Sequence, residues 1–192
     1  MKIRILGLIV IAAVVLAGIA AYSIVRRGLS AHDEPSRVET VVARAMRHWA
    51  TPAAMRDRAN PVQATRAVLD GALAHFADHC ATCHANNGSG DTAIGRNLYP
   101  RAPDMRAAAT QSLTDGELFW IIEHGVRLTG MPAWGDGTPD SERESWALVH
   151  FIRYLPKLTP DERARMESLN PKTPSESKDD APAPHHHGEK KE

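Results

Sequence analysis

The first pattern along the chain is a long stretch without charge. From Ile5 to Ala21 no side chain ionises or hydrogen-bonds strongly, and the apolar character continues to Val25. At about 1.5 Å of rise per residue, residues 5–25 make roughly 30 Å of helix, enough to cross bilayer hydrocarbon. Lys2 and Arg4 precede the stretch and Arg26 and Arg27 follow it, so counting flanking cations does not orient it. The pattern predicts a short n-region (1–4) and a transmembrane anchor (5–25). A cleaved secretory signal is the rival reading. Gly18-Ile19-Ala20 offers a small-residue cleavage site, but the apolar stretch is longer than a usual signal core. On either reading the rest of the chain is exported.

Beyond the anchor the periodicity is helical. Ser36-Arg37-Val38-Glu39 is a capping box, and Val38, Val42, Ala45, Met46 and Trp49 follow at helical spacing up to a stop at Thr51-Pro52. This predicts an amphipathic helix with a packing face, then an extended linker over Ala53–Pro61; together they form a juxtamembrane segment, 26–61. From Val62 a second helical pattern begins. Leu69, Ala72, Leu73 and Phe76 share a face that Cys80 continues. Ala85–Met105 carries Gly88, Gly90, Gly95, Pro100 and Pro103 and reads as loop. Thr114-Asp115-Gly116-Glu117 caps a helix that stops near Gly125. A Gly/Pro-rich loop spans Thr129–Thr138, and Thr138-Pro139 opens a helix bearing Trp146, Val149 and Ile152 that stops at Pro156. Thr159-Pro160-Asp161-Glu162 caps a last short helix, 159–169. No stretch alternates apolar and polar between hairpin turns, so the expected class is all-α. The tail, 170–192, is rich in Pro, Ser and charge, with too little apolar surface to fold alone.

Composition narrows the search. Lys plus Arg and Asp plus Glu are 23 each, so there is no cationic surplus to neutralise phosphates, and nucleic acid is not an expected partner. All aromatics except Tyr22 and Trp49 lie between Phe76 and Tyr154, as do both cysteines. The core is therefore expected in 62–158, roughly 100 residues, small enough to benefit from a cofactor's apolar surface.

Cys80-Ala81-Thr82-Cys83-His84 is C-x-x-C-H, the attachment sequence for c-type haem. Two thiols three positions apart add to the vinyl groups on one side of the porphyrin, and the next residue, His84, lies under the ring with a nitrogen aimed at iron. A thiol–disulfide pair would leave His84 unused, and a zinc site lacks further cysteines. Haem of this type is attached on the periplasmic side in bacteria. The anchor would therefore hold the amino terminus inside and the domain outside, in the bacterial inner membrane.

On these residues the chain resembles a bacterial class I cytochrome c over roughly 62–158. The resemblance rests on the haem motif at a helix end, on Gly130-Met131-Pro132-Ala133-Trp134-Gly135, and on a closing helix with Phe151-Ile152-Arg153-Tyr154-Leu155. It implies a small cytochrome c fold of three to five helices around one covalent haem c. Phe76 matches the family's aromatic before the first cysteine; Ala72, beside Gly71, stands where the family often has glycine. Cys80 and Cys83 would attach the haem, and His84 and Met131 would be the axial iron ligands. Met105 and Met166 are the other methionines after the motif: Met105 suits the pocket wall, and Met166 falls on a charged helix expected outside the compact region. His75, His79 and His124 are the bis-histidine alternatives, two of them on the helix of Cys80. A proline carbonyl accepts the ligand histidine's other N–H in the family, and both Pro100 and Pro103 qualify. Tyr99 and Trp134 are candidates for the ring edge or a propionate, and Arg96, Arg101, Arg106 and Arg127 for propionates.

His/Met ligation fills both iron positions and raises the potential, which suits an electron carrier rather than a catalyst. The expected protein is a membrane-tethered monohaem cytochrome passing electrons among a membrane oxidoreductase, a soluble carrier or a terminal oxidase, with no small-molecule substrate. The alternatives are a cytochrome subunit of a permanent oxidase, nitric oxide reductase or dehydrogenase complex, and a metal-handling role for His185, His186 and His187.

Overall fold

Side-chain caps set where the helices begin. In the computed structural model, which describes residues 2–171 other than Leu29, every regular element is helical. Helix α1 (Lys2–Arg27) contains the one helix among the described residues long and apolar enough to cross a bilayer, over Arg4–Arg26, and that stretch is exposed along its length. Helix α2 (Arg37–Ala50) starts with the expected reciprocal box: the Glu39 amide donates to Ser36 Oγ at 3.2 Å, and the Ser36 amide donates to Glu39 Oε2 at 3.2 Å. The segment expected to be extended linker instead opens with one helical turn, α3 (Ala53–Arg56), whose C-terminal backbone packs on a later helix at Gly116.

Helix α4 (Arg66–His75) is capped by Thr65 and runs into a wider turn, Phe76–Cys80, then a single turn α5 (Ala81–His84). The Ala81 amide donates to the Phe76 carbonyl, five residues back. The turn is widened here in the manner of a π-turn, and Cys80, half-buried, still packs against the core that Ala72, Leu73 and Phe76 help to form. Two short turns, α6 (Ala93–Arg96) and α7 (Ala108–Gln111), punctuate the next loop. Helix α8 (Asp115–His124) begins at the Thr114–Glu117 box, and α9 (Pro139–Tyr154) at Thr138 with proline in its first turn. Helix α10 (Pro160–Glu167) begins at the Thr159–Glu162 box.

The core forms where α4 crosses α9. Ala72, Leu73 and Phe76 from one helix meet Leu148, Val149, Phe151 and Ile152 from the other, all buried. Ala72 takes the small-residue place at this crossing, while Gly71 is exposed with open space beside it. Phe119 of α8 stacks on Trp146 of α9 at 4.2 Å between centroids, tying the third helix to the pair. Each fully buried large side chain contributes about 1.5–3 kcal/mol through area removed from water. Met166 on α10 is fully buried in the same core, so the last helix is not outside the compact region as its charge suggested. The other α10 residues are largely exposed; a single apolar anchor suffices to seat a short charged helix.

Helix α2 departs most from expectation. Its apolar stripe was expected to pack, yet Val38, Val41, Val42, Met46 and Trp49 are all exposed. The polar side makes the contacts: Tyr99 Oη donates to Glu39 at 2.6 Å, and His48 Nδ1 lies 2.7 Å from Glu117 Oε1. Thr51, just past the helix, is buried.

Candidate functional site

The site is built from the end of α5 and two loops. Helix α5 presents Cys80 at its start and Cys83 and His84 in its single turn. Both cysteines are half-buried with free thiols. Burial pushes the Cys80 thiol up to about 12, with the Cys83 thiol beside it adding to the effect, and burial also raises Cys83.

His84 is 7 % exposed, and its Nδ1 is buried without an aligned hydrogen-bond partner. Burial lowers the imidazole's proton affinity, opposed by the Pro103 backbone, so the ring stands below its ordinary value. The neutral imidazole is the form that ligates metals. Of the two candidate prolines, Pro103 has its backbone near the His84 ring, without an aligned hydrogen bond to Nδ1.

The loop after the motif wraps tightly onto it. The Gly90 amide donates to the His84 carbonyl at 2.9 Å, and Thr92 Oγ1 donates to the Cys83 carbonyl at 3.3 Å. Gly95 sits so close that a Cβ there would lie 2.2 Å from the Cys83 carbonyl oxygen. Only glycine lets the α6 backbone approach this near. Farther on, the Met105 amide donates to the Gly88 carbonyl at 2.7 Å and Met105 is buried, while Gln111 Nε2 donates to the Met105 and Ile152 carbonyls at 2.7 and 2.9 Å. Met105 thus belongs to the wall between the loop and α9.

Met131 is held by the second loop, which folds back along the end of α8. The Val126 amide donates to the Met131 carbonyl at 3.1 Å, and the Met131 amide donates to Thr129 Oγ1 at 3.1 Å. The Trp134 and Gly135 amides donate to the Ile122 and Glu123 carbonyls at 3.0 and 3.1 Å. Gly125 makes the reversal possible: its φ is +63°, and a Cβ would lie 2.6–2.7 Å from the backbone of Met131 to Ala133. Met131 itself is half-buried.

The two loops meet. Gly130 abuts the Leu98 side chain, joining the methionine loop to the loop after the haem motif. On the other side Trp134 stacks on His79, centroids 5.4 Å apart, beside Cys80. The His79–Trp134 stack went unforeseen in the sequence; histidine beside the first cysteine and tryptophan three past the methionine were its only signals. The remaining candidates are engaged elsewhere. Tyr99 bonds to Glu39, Arg96 pairs with Asp91, Arg101 lies 3.6 Å from Glu34, and Arg106 pairs with Asp104 at 2.8 Å. Pro100 and Arg127 are exposed. Of the other histidines, His75 faces Glu144 at 3.3 Å, and His124 stacks on Trp120 at 3.6 Å. Residues 185–187 lie outside the described residues.

The donors fit a c-type haem. A buried imidazole with Nδ1 lacking an aligned partner follows two thiols spaced for one porphyrin edge, and the loop that bears Met131 meets the loop after the motif at Leu98. Among the described residues no group of three His, Cys, Asp or Glu side chains is arranged to hold a metal ion by itself. Residues 67–152 match the family described as cytochrome C oxidase, cbb3-type, subunit III. No curated protein matches the chain.

Proposed function

We propose that residues 67–152, which match that family, form a c-type cytochrome domain, and that the chain is a membrane-tethered monohaem electron carrier facing the periplasm. The carrying observation is the buried His84 imidazole directly after Cys80 and Cys83, with the Met131 loop meeting the loop after the motif where Gly130 abuts Leu98. Haem c, when bound, supplies a one-electron iron couple.

The chain's own residues do the rest. Cys80 and Cys83 hold the group covalently, so a domain of this size retains it. His84 and Met131 would hold the iron, and the Pro103 backbone is the proposed acceptor for the other N–H of the His84 ring. Gly95 and Gly125 let the two loops close, and buried Met105 lines the wall that excludes water. A thioether ligand would favour the reduced state of the bound group relative to a second imidazole, which suits an electron carrier. Of the candidate edge contacts, Trp134 stacks on His79 beside Cys80, whereas Tyr99 and Arg96 are held by Glu39 and Asp91. Helix α1 is the proposed inner-membrane anchor, which raises the domain's effective concentration for redox proteins in the same bilayer.

The test is the mass of the mature full-length protein combined with a redox titration. The reading requires one haem per chain, covalent loss-resistant attachment through Cys80 and Cys83, and a single one-electron transition. An unmodified mass or a two-electron thiol couple would refute it.

The family match favours one further reading, a cytochrome subunit of a permanent oxidase complex. A stoichiometric partner that co-purifies from native membranes supports the subunit; isolation alone supports the free carrier, exchanging electrons between a membrane oxidoreductase and a soluble or terminal acceptor.

A further inference from the structure

Helix α2 turns its apolar side away from the domain. At about 3.6 residues per turn, Thr40, Arg47 and Thr51 share one side, and Val38, Val42, Ala45 and Trp49 the other. The first side is the domain side: Thr40 and Arg47 are half-buried, Thr51 is buried, and the flanking Glu39 and His48 reach Tyr99 and Glu117 at 2.6 and 2.7 Å. On the other side Val38, Val41, Val42, Met46 and Trp49 are 49–75 % exposed and Ala45 is half-buried. A stripe this apolar, left in water over the whole helix, forgoes the burial its side chains favour.

We propose that α2 is an interfacial helix whose Val38–Trp49 stripe lies in the lipid surface beside the α1 anchor, with the cytochrome domain seated on its polar side. The proposal rests on the reading of α1 as a membrane anchor. Three observations select lipid as the occupant. The link from Arg27 to Arg37 is residues 28–36, which fully extended spans at most about 35 Å, so α2 cannot leave the neighbourhood of the bilayer. The stripe's composition is that of an interfacial helix, aliphatic with a tryptophan toward its end. The helix also carries the exposed Arg37 and Arg44 against a single acid, Glu39, which attracts it to anionic headgroups. The domain-side hydrogen bonds add direction. The face bonded to Tyr99 and Glu117 is opposite the stripe, so seating the stripe in lipid leaves the domain contacts intact and fixes which side of the domain meets the membrane.

The test uses the full-length holoprotein in vesicles of phosphatidylcholine and phosphatidylglycerol, with the haem ferrous and therefore diamagnetic. Nitroxide labels are placed singly at Val42→Cys, Arg44→Cys and Val14→Cys, and oxygen and nickel-complex accessibilities are read by power saturation. The proposal requires an oxygen-to-nickel ratio several-fold higher at Val42→Cys than at Arg44→Cys, approaching that at Val14→Cys. Water-like accessibility at Val42→Cys with lipid-like accessibility at Val14→Cys overturns the proposal and leaves the anchor standing. Shielding of Val42→Cys from both reagents also overturns it, in favour of a second copy or a partner protein covering the stripe. A water-like Val14→Cys overturns the anchor and the proposal together.

Discussion

Phe76 and Phe151 meet with ring centroids 5.1 Å apart and planes tilted by 52°, at the point where α4 crosses α9. Both rings are essentially inaccessible, at 1 % and 0 % exposed. The contact lies one turn before Cys80, so the same packing that stabilises the core fixes where the haem motif begins. Phe76→Ala is expected to cost about 3–5 kcal/mol, read as a lower denaturation midpoint of the holoprotein at unchanged slope. A loss below about 1 kcal/mol would show that the crossing does not organise the domain.

Gly125 governs the methionine loop more directly than any side chain in it. Its positive φ and the 2.6 Å approach of the Pro132 carbonyl carbon to a built Cβ leave no room for a side chain. Gly125→Ala is therefore expected to displace Met131 while leaving the haem attached. The oxidised protein should lose its methionine–iron absorption, with unchanged haem content and a destabilisation of about 1–3 kcal/mol. Retention of that absorption would mean the loop's position does not depend on this reversal.

The contact between α2 and the domain makes a prediction about acid. Burial pushes the Glu117 carboxyl up, but the Thr114 amide and His48 outweigh it and hold the group below its ordinary value. A carboxylate depressed in the folded state binds protons more readily when unfolded. Its contribution is therefore complete above the unfolded value, about 4.3, and is lost as pH falls through the lower folded value. The thermal midpoint should fall on acidification below that value, and Glu117→Gln should fall less steeply over the same range while being less stable near neutrality. Parallel curves for the two proteins would contradict the role given to Glu117.

Removal of residues 172–192 should leave the optical spectrum and the midpoint potential unchanged. The core closes with Met166, and every candidate ligand lies before it. A changed spectrum on truncation would point to ligation by His185, His186 or His187.

What the sequence made legible was chemistry and punctuation. Three capping boxes and the Thr138-Pro139 start are local devices, each satisfied within a few residues, and all four open helices as expected. The haem motif and the methionine loop are contiguous and carry their spacing with them. Failures came where tertiary context decides. Helical periodicity located the stripe on α2 but not the direction it faces, because periodicity is the same whether the partner is a core or a bilayer. Met166 was hidden because one buried residue on a charged helix leaves no periodic signal. Pro100 and Pro103 were indistinguishable in composition; only the path of the loop brings Pro103 against His84. The π-type turn before Cys80 depends on one added residue in a hydrogen-bonded ring and has no residue signature.

The central claim is that one haem is held between His84 and Met131, and the optical spectrum of the oxidised full-length holoprotein tests it most directly. The account predicts a methionine-to-ferric charge-transfer band in the native protein that vanishes in Met131→Ala and persists in Met105→Leu. A native protein without that band, or a band that survives Met131→Ala, would contradict it.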